Sequence, residues 1–184
     1  MQLTPSLEFV YSSRYKGLSY PQIAQALANY HSSSYIFLKV EPYVEDESPN
    51  NLGSNYIIGG FSRLPWKDTG EYGGDNDCYL FSLTPQFQNM YALTRNTAHP
   101  NYTYLKSSFG YNQGIGFGGG KNEDFRIWIN GQDMNKSYVK NEDATYSGGA
   151  LLGPGLEKMR IVEVEIWGLG IDYHNKQYLD NLLK

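Results

Sequence analysis

The stretch from Gly114 to Trp128, Gly-Ile-Gly-Phe-Gly-Gly-Gly-Lys-Asn-Glu-Asp-Phe-Arg-Ile-Trp, limits the possible folds of this chain more than any other. Its glycines need either positive φ or the close approach of another backbone, so Gly118, Gly119 and Gly120 read as architectural, the kinked end of a closely packed strand. Directly after them Phe125, Ile127 and Ile129 alternate with Arg126 and Trp128, which is the period of a strand. Asn130-Gly131 then carries the signal of a type I′ hairpin. The glycines are therefore expected between strands. Gly114, Gly116 and Gly119 spell G-x-G-x-x-G, but a dinucleotide site needs a helix N-terminus after the turn, and no helical period follows. A phosphate loop fails as well, because Asn122 stands where Ser or Thr would hold magnesium and Ile115 where the first glycine belongs.

At 184 residues the chain fits one domain that needs no disulfide or metal to hold a core. A net charge of -4 with no basic run argues against nucleic acid or an anionic membrane as partner. Cys78, the single cysteine, lies in an apolar run and reads as a small buried hydrophobe in a reducing compartment. There is no secretory signal pattern and no apolar stretch long enough to span a bilayer, so the expected location is the cytoplasm. The sequons at Asn101 and Asn135 would then be chance matches.

Periodicity gives a coarse element map. Leu7 to Tyr11 reads as a strand, followed by a turn through Gly17. A helix with Ser19 and Gln22 at capping-box spacing then places Ile23, Leu27 and Tyr30 on one face. Tyr35 to Val40, Tyr56 to Phe61, Cys78 to Leu83 and Phe87 to Leu93 read as strands, Glu41 to Ser54 as an acidic surface loop, and Arg95 to Lys106 as a polar loop. Gly131 to Gly155 should be irregular, packing Tyr138, Tyr146, Leu151 and Leu152 inward. In Arg160 to Gly168, Val162, Val164 and Ile166 line one face and Glu163 and Glu165 the other, with Trp167 closing the run. Tyr178, Leu179, Leu182 and Leu183 recur at helical spacing, so an amphipathic helix is expected over 171–184. About eight strands with a helical pattern at each end give a mainly β chain, a two-sheet antiparallel β-sandwich with peripheral helices.

Tyr11-Ser12-Ser13-Arg14 before Gly17-Leu18-Ser19, Ile58-Gly59-Gly60-Phe61 before Trp66, Cys78-Tyr79-Leu80-Phe81-Ser82-Leu83, Phe117-Gly118-Gly119-Gly120 and Val164-Glu165-Ile166-Trp167 follow one another in the order of a known family. The chain resembles a TLDc domain over about Leu7 to Leu169, which makes 1–170 the domain and 171–184 a tail. The resemblance implies a sandwich of two antiparallel sheets flanked by helices. It also implies a link to oxidative-stress protection and binding to the vacuolar-type proton ATPase, with influence on that pump's assembly. A location at the surface of acidic organelles through that partner would follow. The family brings no established catalytic set. The Asp143 to Gly148 segment keeps only the outline of the family pattern, and the loops at 41–54 and 95–106 look longer than usual.

The residues offer little to an enzyme. His31, His99 and His174 lack metal-ligand spacing, no Gly-x-Ser-x-Gly elbow exists, and Asp68-Thr69-Gly70 has no second copy to form an acid pair. Asp75, Asp77, Glu123 and Asp124 lie beside glycine turns, where acids usually cap backbone N–H groups. No catalytic, cofactor-binding or metal residue is therefore assigned. The remaining classes are a binding module on a proton pump, a structural part of another assembly, and a stress-protective enzyme of unknown chemistry. The structural motif residues are Gly59, Gly60, Phe61, Gly118, Gly119, Gly120 and Trp167, and the tail stripe Tyr178, Leu179, Leu182 and Leu183 is expected to meet the partner.

Overall fold

The computed structural model describes residues 6–43, 55–84, 101–119 and 125–170, and the backbone at 88–91. Among these lie eleven strands, more than the sequence suggested: β1 (Ser6–Ser12), β2 (Ser34–Tyr43), β3 (Tyr56–Ser62), β4 (Tyr72–Gly73), β5 (Tyr79–Thr84), β6 (Gln88–Tyr91), β7 (Thr103–Lys106), β8 (Gly114–Phe117), β9 (Ile127–Asn130), β10 (Tyr138–Val139) and β11 (Lys158–Gly170). Two helices, α1 (Ser13–Lys16) and α2 (Tyr20–Ala28), follow β1. The expected tail helix, with Tyr178, Leu179, Leu182 and Leu183, lies outside the described residues, as does Gly120.

β11 is the spine. β2 runs along one of its edges, while β1 and β10 share the other, β1 opposite Glu165–Gly170 and β10 opposite Lys158. The strands form one antiparallel path, β4-β7-β8-β9-β10-β11-β2-β3-β5-β6, so the two sheets of the sandwich are the halves of a single folded sheet. Among the described residues the halves are joined in register at Tyr138–Lys158, beside a bond from the Val139 N–H to the Glu157 carbonyl (2.8 Å). They close on one core, with Ile36, Leu38, Ile58 and Leu80 from one half and Leu105, Ile115, Phe117 and Ile129 from the other. Gly60 shows how near they come, since a side chain there would run into the Phe117 ring of the opposite half.

Several local expectations change. Gly114 and Gly116 sit within β8 rather than between strands, because Trp128 of β9 and Phe125 just before it fold over the space their side chains would take. Asn130-Gly131 makes no type I′ turn, since neither residue has positive φ. Asn130 Oδ1 instead accepts the N–H groups of Gln132 (2.9 Å) and Asp133 (3.0 Å), opening a longer connection through a 3-10 turn at Met134–Lys136. Gly131 is needed because the Tyr20 ring occupies its side-chain space. Ser19 holds the N-cap position of α2 but makes no side-chain capping bond, so the capping box does not form, although Tyr20, Ile23, Ala24 and Leu27 are buried as the pattern requires. The end of the expected polar loop, Thr103–Lys106, is strand β7.

In β11 a register shift between Ile161 and Glu163 reverses the alternation, so that Val162 is 39% exposed while Ile161, Val164 and Ile166 are buried. Trp167 therefore does not close the core. It lies half-buried on the outer face, edge-on to Phe9 at 5.4 Å, with Nε1 donating to Glu165.

Candidate interaction surface

Most polar residues singled out in the sequence turn out to hold the frame. In Tyr11-Ser12-Ser13-Arg14 each side chain has one task. Tyr11 donates to the Gly17 carbonyl (2.5 Å), Ser12 caps α1 through the Arg14 N–H, and Ser13 Oγ accepts the Val164 N–H of β11 (2.9 Å). Arg14 meets Glu163 with two parallel bonds of 3.1 and 3.2 Å. Gly17, with φ 83, lets the chain leave α1 in a conformation that a side chain resists.

The glycine run is held by a buried charge pair. Gly118 has φ 74, and a side chain there would strike Asp143 and Arg126. Asp143 is 0% exposed and accepts the N–H groups of Gly119 (3.2 Å), Thr145 (3.0 Å) and Tyr146 (3.1 Å). Arg126, 1% exposed, faces it at 3.5 Å and donates to the carbonyls of Gly148 (3.1 Å) and Gly149 (2.6 Å). Thr145 closes the ring by donating to the Gly119 carbonyl (3.2 Å). Burial raises the Asp143 carboxyl above the usual carboxylate range while the three backbone N–H groups pull it down. Burial lowers Arg126, and Asp143 opposes that shift. Both side chains thus belong to the clamp between β8 and the 142–149 loop, which no local sequence pattern announces.

The remaining chemical candidates are dispersed. Asp75 and Asp77 both pair with Arg63, while Glu123 and Asp124 lie outside the described residues. Asp68 of the Asp68-Thr69-Gly70 turn accepts the N–H of Ser107 (2.7 Å). His31 is exposed, and His99 and His174 lie outside the described residues. No group of three metal-ligating side chains occurs among the described residues. Cys78 is 1% exposed and its thiol is pushed up by burial, so it offers little thiolate to a reactant.

One outer face of the frame is aromatic, with Phe9 exposed, Tyr35, Phe37, Tyr79 and Trp167 partly exposed, and Phe61 and Phe81 buried among them. Across the outer face of the half containing β1, β11, β2, β3 and β5, the residues Phe9, Trp167, Tyr35, Phe61 and Tyr79 stand opposite one another in register. Ring centroids are 4.7 Å apart between Tyr35 and Phe61 and 5.1 Å between Phe61 and Tyr79. Phe37 and Phe81 meet at 5.1 Å in the next row, over Gly59, whose missing side chain makes room for the Phe81 ring. Beyond them a cleft of about 340 Å³ is lined by Arg14, Phe37, Lys39, Ile57, Glu163 and Glu165. Gly59 and Phe61 therefore serve this outer face, and Gly60 serves the core. The sequence carried a signal for the row: Tyr35, Phe37, Phe61 and Tyr79 fall on the alternate phase to Ile36, Leu38 and Leu80, the phase that faces away from the core.

A TLDc domain family model matches residues 1–170. The chain belongs to the TLDc domain family. It is also similar to proteins called MTOR-associated protein MEAK7. Identity is 32% over 134 residues with the Xenopus laevis protein, covering 70% of this chain and 28% of the relative. With the Mus musculus protein it is 25% over 173 residues, covering 89% and 36%. With the Homo sapiens protein it is 29% over 118 residues, covering 62% and 24%. The chain thus spans between about a quarter and a third of the length of these relatives. The five ordered motifs fall within the matched span. No helix of the described residues is long and apolar enough to cross a membrane.

Proposed function

We propose that this TLDc domain is a non-catalytic binding module that associates with a large complex, the vacuolar-type proton ATPase, and regulates its assembly or activity. The observation that carries this reading is the use made of the motif residues. Ser13, Arg14, Arg126 and Asp143, the polar groups a reaction could have employed, are spent on holding strands and loops together. Function then falls to surfaces. Relatives named as associated with mTOR point the same way, towards work inside a protein assembly. They also favour a second reading, in which the assembly is one built around mTOR. Protection against oxidative stress would act through the partner complex, since Cys78 is buried with its thiol pKa raised.

The tail stripe Tyr178, Leu179, Leu182 and Leu183 is the proposed anchor. An isolated helix of about 12 residues is marginal in water and needs an apolar surface to cover. The test is co-sedimentation of the full chain with purified vacuolar-type proton ATPase. Wild type should bind, and Leu179→Asp with Leu182→Asp should abolish binding while leaving the melting temperature nearly unchanged. A large drop in melting temperature would place the stripe on the domain itself. Failure of the wild type to bind would remove the proton pump as partner.

A further inference from the structure

The loop joining β7 to β8, Ser107 to Gln113, combines two features that rarely coincide. It is held at many points, yet it lifts its two largest side chains into solvent: Phe109 is 88% exposed and Tyr111 is 78% exposed. At its base the Ser107 N–H and hydroxyl both donate to Asp68, and Gln113 Nε2 returns to the Ser107 carbonyl at 2.9 Å. At its tip the carbonyls are taken one by one. Gly110 accepts from Gln132 Nε2 (3.1 Å), Tyr111 from Lys106 Nζ (2.7 Å), and Asn112 from the Tyr104 hydroxyl (3.0 Å). Asn112 has φ 53 and is the only non-glycine residue among those described with positive φ, a backbone state that persists where surrounding bonds impose it.

Single exposed aromatics are ordinary on protein surfaces. A pair on a loop already fixed by six side-chain hydrogen bonds is different, because its ordering cost on binding has largely been met, and rigid Phe and Tyr anchors are what interface centres are made of. Charge decides what they would enter. Residues 107–113, Ser-Ser-Phe-Gly-Tyr-Asn-Gln, carry no charged side chain, and the adjoining Lys106 turns its ammonium to the Tyr111 carbonyl. The loop itself thus offers phosphate no cation, and the single Lys106 at its base is not the basic cluster by which lipid headgroups or nucleic acid are held.

We propose that Phe109 and Tyr111 form a preorganised anchor that inserts into an uncharged, apolar pocket on a folded partner protein. This rests on the reading of the chain as a protein-interaction module and adds a contact surface far in sequence from the tail. The experiment replaces Phe109 with the photo-reactive p-benzoylphenylalanine in the full chain, with the same group at Tyr15 as an equally exposed control. After irradiation in cell extract, adducts are identified by mass spectrometry, and the cross-linked protein is then purified for titration. The expected result is one protein adduct at 109 that is absent at 15, mapped to apolar residues of the partner. Phe109→Ser with Tyr111→Ser should then weaken binding of that purified protein at least about tenfold with an unchanged melting temperature. The proposal is overturned if position 109 gives no adduct beyond the control, or adducts only with a second copy of the chain. Adducts with phospholipid, or unchanged affinity of the double variant, overturn it too. If the wild type binds its complex but the loop variant binds equally well, this inference fails alone. If the wild type binds no protein, the broader reading fails with it.

Discussion

At the scale of single residues the glycine run separates into positions of unequal consequence. Gly118 has φ 74, and a methyl group there would press on Asp143, which cannot withdraw without releasing the backbone N–H groups it accepts. Gly119 has φ 152, also a conformation that side chains resist, and its side-chain space is closed by the Tyr72 ring, which packs against Tyr104 and Phe125. Gly149 has nothing within 4 Å of its side-chain position and does not have positive φ. Gly118→Ala should therefore cost about 1–3 kcal/mol from backbone strain alone, lowering the melting temperature by about 2–12 °C. Gly149→Ala should stay within about 1 °C. Thermal denaturation followed by circular dichroism measures both, and equal melting temperatures for the two variants would show that the clamp accepts a side chain.

Among elements, β11 shows what the sequence could convey and what it could not. Its existence and apolar character were legible, though not its full span, and so was the buried phase of Val164 and Ile166, because alternation is a local property. The exposure of Val162 was not, since the register shift after Ile161 arises from how β2 pairs with it across the molecule. Likewise the glycine spacing made Gly59, Gly60, Gly118 and Gly119 readable as architecture, whereas the Arg126–Asp143 pair joins residues whose charges alone would place them in solvent. The Ser13 to Val164 bond is another such long-range tie, spanning 151 residues of sequence and lying on the edge of β11 shared by β1 and β10. Ser13→Ala leaves the Val164 N–H buried without its acceptor, at a cost of about 1–3 kcal/mol. Hydrogen exchange should report faster exchange at the Val164 amide in this variant, with a melting temperature lower by about 2–12 °C. Ser12→Ala should cost only the cap of a four-residue helix, about 1 kcal/mol, and leave that amide protected. Equal protection of Val164 in both variants would remove the role given to Ser13.

For the molecule as a whole, the folded sheet and α2 are tied together by tyrosine hydroxyls as well as by apolar contact. Tyr20 of α2 donates to the Lys106 carbonyl at the end of β7, and Tyr146 of the 142–149 loop donates to the Tyr102 carbonyl at 2.8 Å, just before β7. Burial raises both hydroxyls well above the ordinary tyrosine value near 10. In the unfolded chain they ionise at about pH 10, while in the folded chain they keep their protons. Above that pH the unfolded state therefore binds fewer protons than the folded one, so the stability these two hydroxyls contribute is full below about pH 10 and falls as pH rises, by about 1.4 kcal/mol per pH unit for each. The Cys78 thiol and the Tyr11 hydroxyl, both also raised by burial, add to the decline. Tyr20 and Tyr146 together give a slope near 3 kcal/mol per unit, steep enough to unfold a domain of ordinary stability, about 5–15 kcal/mol, within a few units. Urea midpoints taken from pH 8 to 11 should be flat and then drop. Absorbance at 295 nm should show the exposed members of the 17 tyrosines titrating first, and a final step that coincides with loss of structure. Tyr146→Phe should reduce the slope by about 1.4 kcal/mol per pH unit while weakening the fold at neutral pH, since the Tyr102 carbonyl then keeps only the Gly118 N–H of its two donors. Complete and reversible titration of all tyrosines near pH 10 with the circular dichroism unchanged would mean that these hydroxyls do not hold the two halves and the helix in place.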